Sequence, residues 1–168
     1  MKKIALVSLL LIFTVTACRM SYSFKGATSL TDEYKTIDIR DFLIQTPNVY
    51  APMGQVLNER IKDVYAQNTK LQRTNINPNL ELEGEVVRYD FAPQSVKQDA
   101  YASETRMTMA VKIRFKDNIN PKKDKETTIS AYRDFDSSRM LTEVQDQLIE
   151  ELVKEIVDQI FNTTMMDW

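Results

Sequence analysis

MTMAVKIRFK, residues 107–116, alternates large apolar side chains with small or polar ones: Thr108, Ala110, Lys112, Arg114 and Lys116. The apolar residues of this run share one face: Met107, Met109, Val111, Ile113 and Phe115. Strict alternation over this length is typical of a β-strand with one buried and one exposed face. The sequence therefore predicts a sheet with one face in a hydrophobic core, and the other elements must supply the layer that covers it.

The chain on either side of this run predicts two partner strands. Residues 80–86 alternate in the same way, but the phase slips by one position at Val86-Val87, and the later apolar residues continue in the opposite register. A slip of one residue moves side chains to the other face, so we expect a bulge there, just after Gly84. Residues 127–135 predict the next strand. Because the connections are too short for helices, these three strands should form an antiparallel meander.

Two amphipathic segments supply the second layer. Apolar residues recur at three- and four-residue steps in residues 52–68 and again in residues 139–162, which predicts two helices. The predicted buried stripe of the second helix consists of Leu141, Val144, Leu148, Leu152, Ile156 and Ile160. Asp136, Ser137 and Ser138 offer N-cap side chains for it.

The predicted fold class is α+β. An alternating run at residues 36–40 predicts a strand before the first helix, which completes the order β-α-β-β-β-α. Two helices packed on one face of a four-stranded, mostly antiparallel sheet would bury every apolar face in this pattern as a two-layer sandwich.

The N-terminus carries a pattern for export and lipidation. Two lysines precede an apolar run at residues 4–15, which is shorter than the roughly 20 residues of a membrane span. The run ends in VTAC, residues 15–18, which resembles the bacterial lipobox with Cys18 as the lipidated residue. The alternative is a buried free Cys18 that acts as a small hydrophobic side chain. The predicted division is a cleaved signal peptide at residues 1–17, a lipidated tether at 18–30 and a single domain at 31–168.

Composition excludes several kinds of site. The chain of 168 residues contains no histidine and one cysteine, which rules out histidine-dependent triads and histidine metal ligands. Removal of Lys2 and Lys3 with the leader leaves 20 basic and 24 acidic residues, a balance that argues against a nucleic-acid binder. The isolated glycines form no phosphate-binding loop, and no D-x-D-x-D-G calcium loop is present. We therefore predict neither a cofactor nor a metal.

Basic residues form the candidate binding site. Lys112, Arg114 and Lys116 share the polar face of their strand, and Lys122 and Lys123 follow in the next loop. Such a set can meet the phosphate groups of an anionic lipid or glycolipid. It can equally keep a sheet face or edge soluble and unpaired.

Carboxylates offer a weaker candidate. Glu81, Glu83 and Glu85 recur at two-residue spacing and so share one face of their strand. This spacing could supply an acid and a base, but it is also the ordinary pattern of a solvated strand face. No catalytic residue is predicted from it.

Several short stretches, taken in their order along the chain, resemble a known family. VTAC is followed by YSFKGAT at residues 22–28, KTIDI at 35–39, TKL at 69–71, LEGEV at 82–86, Tyr89, Pro93, FDSS at 135–138, VDQIFN at 157–162 and Trp168. This set resembles the LPS-assembly lipoprotein family, LptE, in its divergent short form. The resemblance covers most of the chain and implies two helices packed on a four-stranded sheet.

The resemblance also implies a function. Members of the family are not enzymes: they are lipid-anchored to the inner leaflet of the outer membrane, and each forms a complex with the large β-barrel LptD. They plug that barrel, support its assembly and help deliver lipopolysaccharide to the cell surface. Residue 19 is arginine instead of the aspartate that retains some lipoproteins at the inner membrane, which agrees with outer-membrane sorting.

Two other functions stay open at this level. The first is a free periplasmic lipoprotein that captures a lipid or a small apolar ligand, which would need a concave apolar pocket between helices and sheet. The second is a wall-active hydrolase, for which Glu83 and Glu85 would be the paired carboxylates.

Overall fold

The strand predicted at residues 107–116 lies in the middle of the sheet. A computed structural model describes residues 33–94 and 104–166, and in it this strand extends over Glu104–Asp117. The predicted signal peptide, Cys18, the tether and Trp168 lie outside the described residues. All five apolar residues of the opening motif are buried on one face, as predicted.

The described chain contains six strands and two α-helices. In order these are β1 (Thr36–Ile39), β2 (Leu43–Ile44), α1 (Ala51–Asn68), β3 (Gln72–Arg73), β4 (Leu80–Gln94), β5 (Glu104–Asp117), β6 (Lys125–Asp136) and α2 (Leu141–Met165). A short 3₁₀ turn, Pro121–Lys123, lies between β5 and β6. The two-layer α+β class is confirmed. Within the described residues, neither helix is both long and apolar enough to span a bilayer.

The sheet is larger and more mixed than predicted. Its order is β3-β1-β4-β5-β6, with β2 also paired to β4, so the prediction of four strands is wrong by two. The meander β4-β5-β6 is antiparallel as predicted, whereas β1 and β2 run parallel to β4. A parallel pair needs a crossover, which α1 provides between β1 and β4. Strands β2 and β3 have two residues each, too few for any periodic signal.

The phase slip in β4 is a real bulge. The pairing with β5 shifts between Val86 and Arg88, and the extra residue, Val87, is 38% exposed. Before the bulge Leu82 and Val86 face the core, and after it Tyr89 does. The bulge therefore keeps both halves of this 15-residue strand on the same hydrophobic layer.

Gly84 has a different role from the one its position suggested. A Cβ added there would lie 2.4 Å from Cε1 of Phe42 and 2.8 Å from the carbonyl oxygen of Lys112. The ring of Phe42, which is itself buried, occupies the space that a side chain at Gly84 would need. Glycine is thus required here by the close approach of Phe42, three residues before the bulge.

Helix α2 covers the sheet and packs against α1. Five of the six residues predicted for its buried stripe are buried, and Leu141 is partly buried. The rings of Tyr65 and Phe161 meet edge-on with centroids 5.2 Å apart. Buried Thr164 donates to the Ile160 carbonyl, so the Tyr65 hydroxyl is the donor in its bond to Thr164. These contacts join the two helices to each other within the helix layer.

The predicted N-cap of α2 is wrong. The helix begins at Leu141, and Met140 occupies the cap position with no side-chain hydrogen bond. Asp136 instead accepts the backbone N–H of Ser138 at 2.8 Å, which makes it part of the turn that leaves β6. Asx turns of this kind compete with helix capping for the same side chains.

We expect Gly84→Ala to lower the free energy of unfolding by about 2 kcal/mol, because the new methyl group collides with a buried ring and a backbone carbonyl. The matched control is Gly54→Ala in α1, where the new Cβ would lie 3.1 Å from the flexible tip of Ile44. There the gain in helix propensity, up to about 1 kcal/mol, should leave stability equal or higher. Urea unfolding of both variants measures the difference, and equal losses would contradict the account.

Candidate functional site

Six of the charged residues singled out in the sequence meet on the outer face of the sheet. The register of β4 and β5 places Glu81 opposite Lys116, Glu83 opposite Arg114 and Glu85 opposite Lys112. Directly opposite side chains on one sheet face are close enough to interact. Two alternating runs that looked separate in the sequence, one acidic and one basic, therefore face each other.

Glu83 is the centre of the resulting ion-pair network. One of its carboxylate oxygens accepts from Nη1 of Arg114 at 2.7 Å, and the other accepts from Nη1 of Arg40 at 2.7 Å. Arg40, which directly follows β1, also reaches Glu81 at 3.1 Å and Asp38 at 3.3 Å. The network thus links β1, β4 and β5 across the outer face.

The same network extends to the edge strand. Glu126 of β6 accepts from Lys112 Nζ at 2.5 Å and from Arg114 Nε at 3.4 Å. These two hydrogen bonds, that of Lys112 above all, lower the pKa of the Glu126 carboxyl. Lys112 and Arg114 are therefore neutralised by acidic neighbours and do not form an open positive patch.

The other three predicted basic residues lie at one end of the sheet. Lys116 is exposed near the end of β5 and forms no ion pair within residues 33–94 and 104–166. Lys122 and Lys123 belong to the 3₁₀ turn, and Lys123 Nζ lies 5.9 Å from the centre of the Tyr34 ring. The predicted set of five is thus divided between the sheet face and the β5–β6 connection.

Asp117 organises this end of the sheet and was not identified from the sequence. Its carboxylate accepts the Tyr34 hydroxyl at 2.8 Å and the backbone N–H groups of Ile119 and Asn120 at 2.9 and 2.7 Å. The residue is 1% exposed. Burial and the bond to Asp117 raise the pKa of Tyr34 to about 12. The signal for this role is an acidic residue in the buried phase of β5, two residues after Phe115.

Two surface clefts lie in the described part of the chain. One, of about 310 Å³, opens on the outer sheet face and is lined by residues that include Arg40, Gly84 and Arg114. The other, of about 610 Å³, lies between α1 and α2 and is lined mostly by charged side chains. Neither lies between the helices and the sheet, where Leu57, Leu82 and Ile156 are fully buried. The geometry therefore does not support a lipid pocket inside this core.

Glu83 is poorly suited to acid catalysis. Partial burial alone would raise the pKa of Glu83, but hydrogen bonds and charge from Arg114 and Arg40 outweigh it and hold the pKa below the ordinary 4.5. A general acid needs the opposite shift. In the described residues, no group of three or more carboxylate or cysteine side chains is placed to hold a metal ion.

A family model described as lipopolysaccharide-assembly, LptE, matches residues 34–164. The match runs from just before β1 almost to the end of α2, so it includes every strand described above. No curated protein sequence matches the chain.

Solved structures share the fold at low sequence identity. A minor lipoprotein from Acinetobacter baumannii is 17% identical with a TM-score of 0.53, over 80% of this chain and 95% of that one. A protein from Xanthomonas campestris is 13% identical with a TM-score of 0.55, over 79% and 85% of the two chains. The hypothetical protein CT253 from Chlamydia trachomatis is 8% identical with a TM-score of 0.52, over 79% and 99%. At these identities the likeness shows the fold alone.

We expect Glu83→Gln to lower the free energy of unfolding at pH 7 by about 1 kcal/mol, because Arg40 and Arg114 each lose one of their charged partners. The folded-state pKa of Glu83 is below 4.5, so its contribution is complete above that pH and is lost as the pH falls through the folded-state pKa. The deficit of Glu83→Gln should therefore shrink between pH 5 and pH 3 in urea titrations.

Glu85→Gln is the matched control for this prediction. Glu85 lies on the same face and strand, but it forms no ion pair with any described residue. Its replacement should change stability by less than about 0.5 kcal/mol at either pH. A deficit for Glu83→Gln that is the same at pH 7 and pH 3 would show that the charge of the carboxylate is not what matters.

Proposed function

The chain belongs to the lipopolysaccharide-assembly family LptE, and from this membership we propose that it is the plug subunit of an LptD-like outer-membrane β-barrel. In this role the domain fills the lumen of the barrel, supports barrel assembly and aids delivery of lipopolysaccharide to the cell surface. The match over residues 34–164 is the observation that carries the proposal, because it includes the whole described fold.

The closed interior of the domain supports a role through surface contacts. The residues between the two layers are fully buried, among them Leu57, Leu82 and Ile156, and both clefts lie outside them. A carrier that encloses a lipid needs an apolar cavity. A plug needs only a rigid body of suitable size and surface, so the structure favours the plug over a free ligand-binding lipoprotein.

The outer sheet face has the polarity that a barrel lumen requires. Lumens of outer-membrane barrels are polar, whereas their outer walls are apolar. The face formed by β1, β4, β5 and β6 carries Arg40, Glu83, Arg114 and Glu126 in mutually neutralising pairs. Side chains paired in this way can lie against polar groups without either charge of a pair losing its partner.

The lipid anchor belongs to the same proposal. Cys18 is the lipidated residue after cleavage of residues 1–17, with a tether at 18–30 and one domain at 31–168. Two or more acyl chains hold a protein stably at a membrane, whereas one chain gives only marginal binding. The anchor would place the domain on the periplasmic side of the outer membrane, beneath the barrel that it enters.

Contact with the glycolipid is assigned to the basic residues. Within the predicted set, Lys116 and Lys122 are the better candidates, because Lys112 and Arg114 are already bound to Glu126 and Glu83. Lysine meets a phosphate group mainly as a point charge, so exposed lysines at this end of the sheet suit the contact.

We expect the full-length protein, purified through a C-terminal tag from detergent-extracted outer membranes, to bring down a large β-barrel in near-equal amounts. Depletion of the protein should lower both mature barrel and surface lipopolysaccharide. Cys18→Ser should reduce the amount of barrel recovered from intact cells, because the proposed anchor holds the domain at the membrane that contains the barrel. The same variant should bind purified barrel in detergent as well as wild type does. Normal barrel maturation and normal surface glycolipid after depletion would overturn the proposal.

The role of Lys122 in the β5–β6 connection can be tested separately. We expect Lys122→Ser to weaken binding to lipopolysaccharide micelles roughly fivefold, about 1 kcal/mol, with a reduced dependence on salt. The matched control is Lys154→Ser on α2, in the other layer of the fold, which should bind within about twofold of wild type. Equal losses for the two variants would point to net charge as the cause instead of this loop.

A further inference from the structure

The two edges of the sheet are protected very differently. One edge ends in β1, β2 and β3, none longer than four residues. The other edge is β6, whose twelve residues pair with β5 without any register shift. Short strands and bulges are devices that keep edges from pairing with other chains. The β6 edge has neither of them.

The pairing pattern shows which backbone groups of β6 are open. The N–H of Asn118 donates to the carbonyl of Asn79, which continues the ladder of β4 and β5 by one residue pair. Residues alternate along a strand, so even-numbered residues of β5 bond to β4 and odd-numbered ones bond to β6. It follows that even-numbered residues of β6 direct their N–H and C=O groups away from the sheet.

In the middle of the strand, residues 127–132, these open groups belong to Thr128, Ser130 and Tyr132. Thr128 and Ser130 are exposed, and Tyr132 is 51% exposed. One edge carbonyl, that of Tyr132, accepts a hydrogen bond from Nη1 of Arg133 at 2.8 Å. No backbone group of any described residue pairs with the others from the edge side.

The middle of β6 has the composition of a pairing strand. TTISAY, residues 127–132, contains six residues with no charge, no proline and no glycine. Segments of this length with high β-propensity and low charge are those that add readily to other strands. An open edge of this kind in a natural protein indicates that another strand covers it in the functional assembly.

A second copy of this chain is a poor occupant. In a symmetric antiparallel pair, side chains on the same face of the sheet lie opposite each other, so odd residues meet odd residues and even meet even. Two symmetric registers pair the middle of residues 127–132 with itself. The register centred on Ile129 places Lys125 opposite Arg133, and the register centred on Ser130 places Glu126 opposite Asp134. Glu126, Asp134 and Arg133 already have ion-pair partners in the same chain, which reduces the penalty. Like charges directly opposite are still destabilising, and symmetry produces each such pair twice.

We propose that the β6 edge is a docking site for an extended segment of a different polypeptide, which adds as a strand beside residues 127–132. In the docked segment, the side chains opposite Ile129 and Ala131 face the helix layer and are apolar. The side chains of the segment opposite Thr128 and Ser130 are polar or small. Acidic residues are excluded opposite Glu126 and Asp134. We take the polypeptide that supplies this segment to be the partner barrel, and this identification rests on the proposed function.

The first test measures amide exchange without any substitution. The mature protein bound to the barrel in detergent is compared with the mature protein alone in the same detergent. Hydrogen–deuterium exchange is measured for the peptide that covers residues 127–132. We expect exchange to be slower by about tenfold or more in the complex, because the three edge amides gain partners. Equal exchange in both samples overturns the proposal. Slow exchange in the isolated protein also overturns it, because another part of the same chain would then cover the edge.

The second test removes one edge donor. Proline is tolerated on an edge strand where the N–H points to solvent, so Ser130→Pro should fold with the ladder to β5 intact. We expect Ser130→Pro to recover about tenfold less barrel than wild type, and the control Ser130→Val, which keeps the N–H, to recover the wild-type amount. Circular dichroism checks the fold of both variants, and if Ser130→Pro unfolds, the exchange measurement on wild type decides.

The two proposals fail in distinguishable ways. Wild-type protein that recovers no barrel at all contradicts the proposed function. In that case, slower exchange of residues 127–132 in intact membranes than in the isolated protein would still support edge pairing with another donor. Barrel recovery that is normal for wild type and for folded Ser130→Pro contradicts the edge proposal alone.

Discussion

The pairing register of β4 and β5 is the constraint on which the rest of the structure depends. It places Leu82 opposite Phe115 in the core and Glu83 opposite Arg114 on the outer face. Because side chains alternate, a shift of one residue would exchange these two sets and bury the charges. The helices can cover the sheet, and the ion pairs can form, only in this register. Hydrophobic burial and charge pairing thus select the same alignment from opposite sides of the sheet.

Two local features allow one long strand to keep that register. The bulge at Val87 corrects the alternation of β4, so that Tyr89 faces the same core as Leu82. Gly84 lets Phe42 enter the core across the strand, in the segment where the chain passes from β1 to β2. Phe42 and Asn58 are joined there, since the backbone N–H of Phe42 donates to the Asn58 side chain at 2.7 Å. Helix α1 is therefore bonded to the β1–β2 connection beside Gly84, the position of β4 that has no side chain.

Strongly periodic parts of the sequence predicted the structure well. The alternation of residues 107–116, the slip at Val87 and the apolar stripe of α2 all depend on many residues acting together, so the core phase of each was predictable. The two-residue strands, the parallel pairing of β1 and the cap at Met140 depend on tertiary contacts that leave no periodic trace. For the candidate site, the sequence predicted which face carries each charge. It could not predict that the basic and acidic runs would be placed opposite each other.

The pairing of the basic run with the acidic run changes the role that can be assigned to the basic residues. When opposite charges pair on a sheet face, each group loses part of its hydration and gains a hydrogen bond to its partner. If one of them then binds a phosphate, that hydrogen bond is lost. Arg114 and Lys112 are held in this way by Glu83 and Glu126, which makes them part of the scaffold. Lys122, in the 3₁₀ turn, forms no such ion pair with any residue in the described part of the chain. For the proposed contact with an anionic glycolipid, the end of the sheet is therefore the better place than the neutralised face, which we propose lies against other polar surfaces.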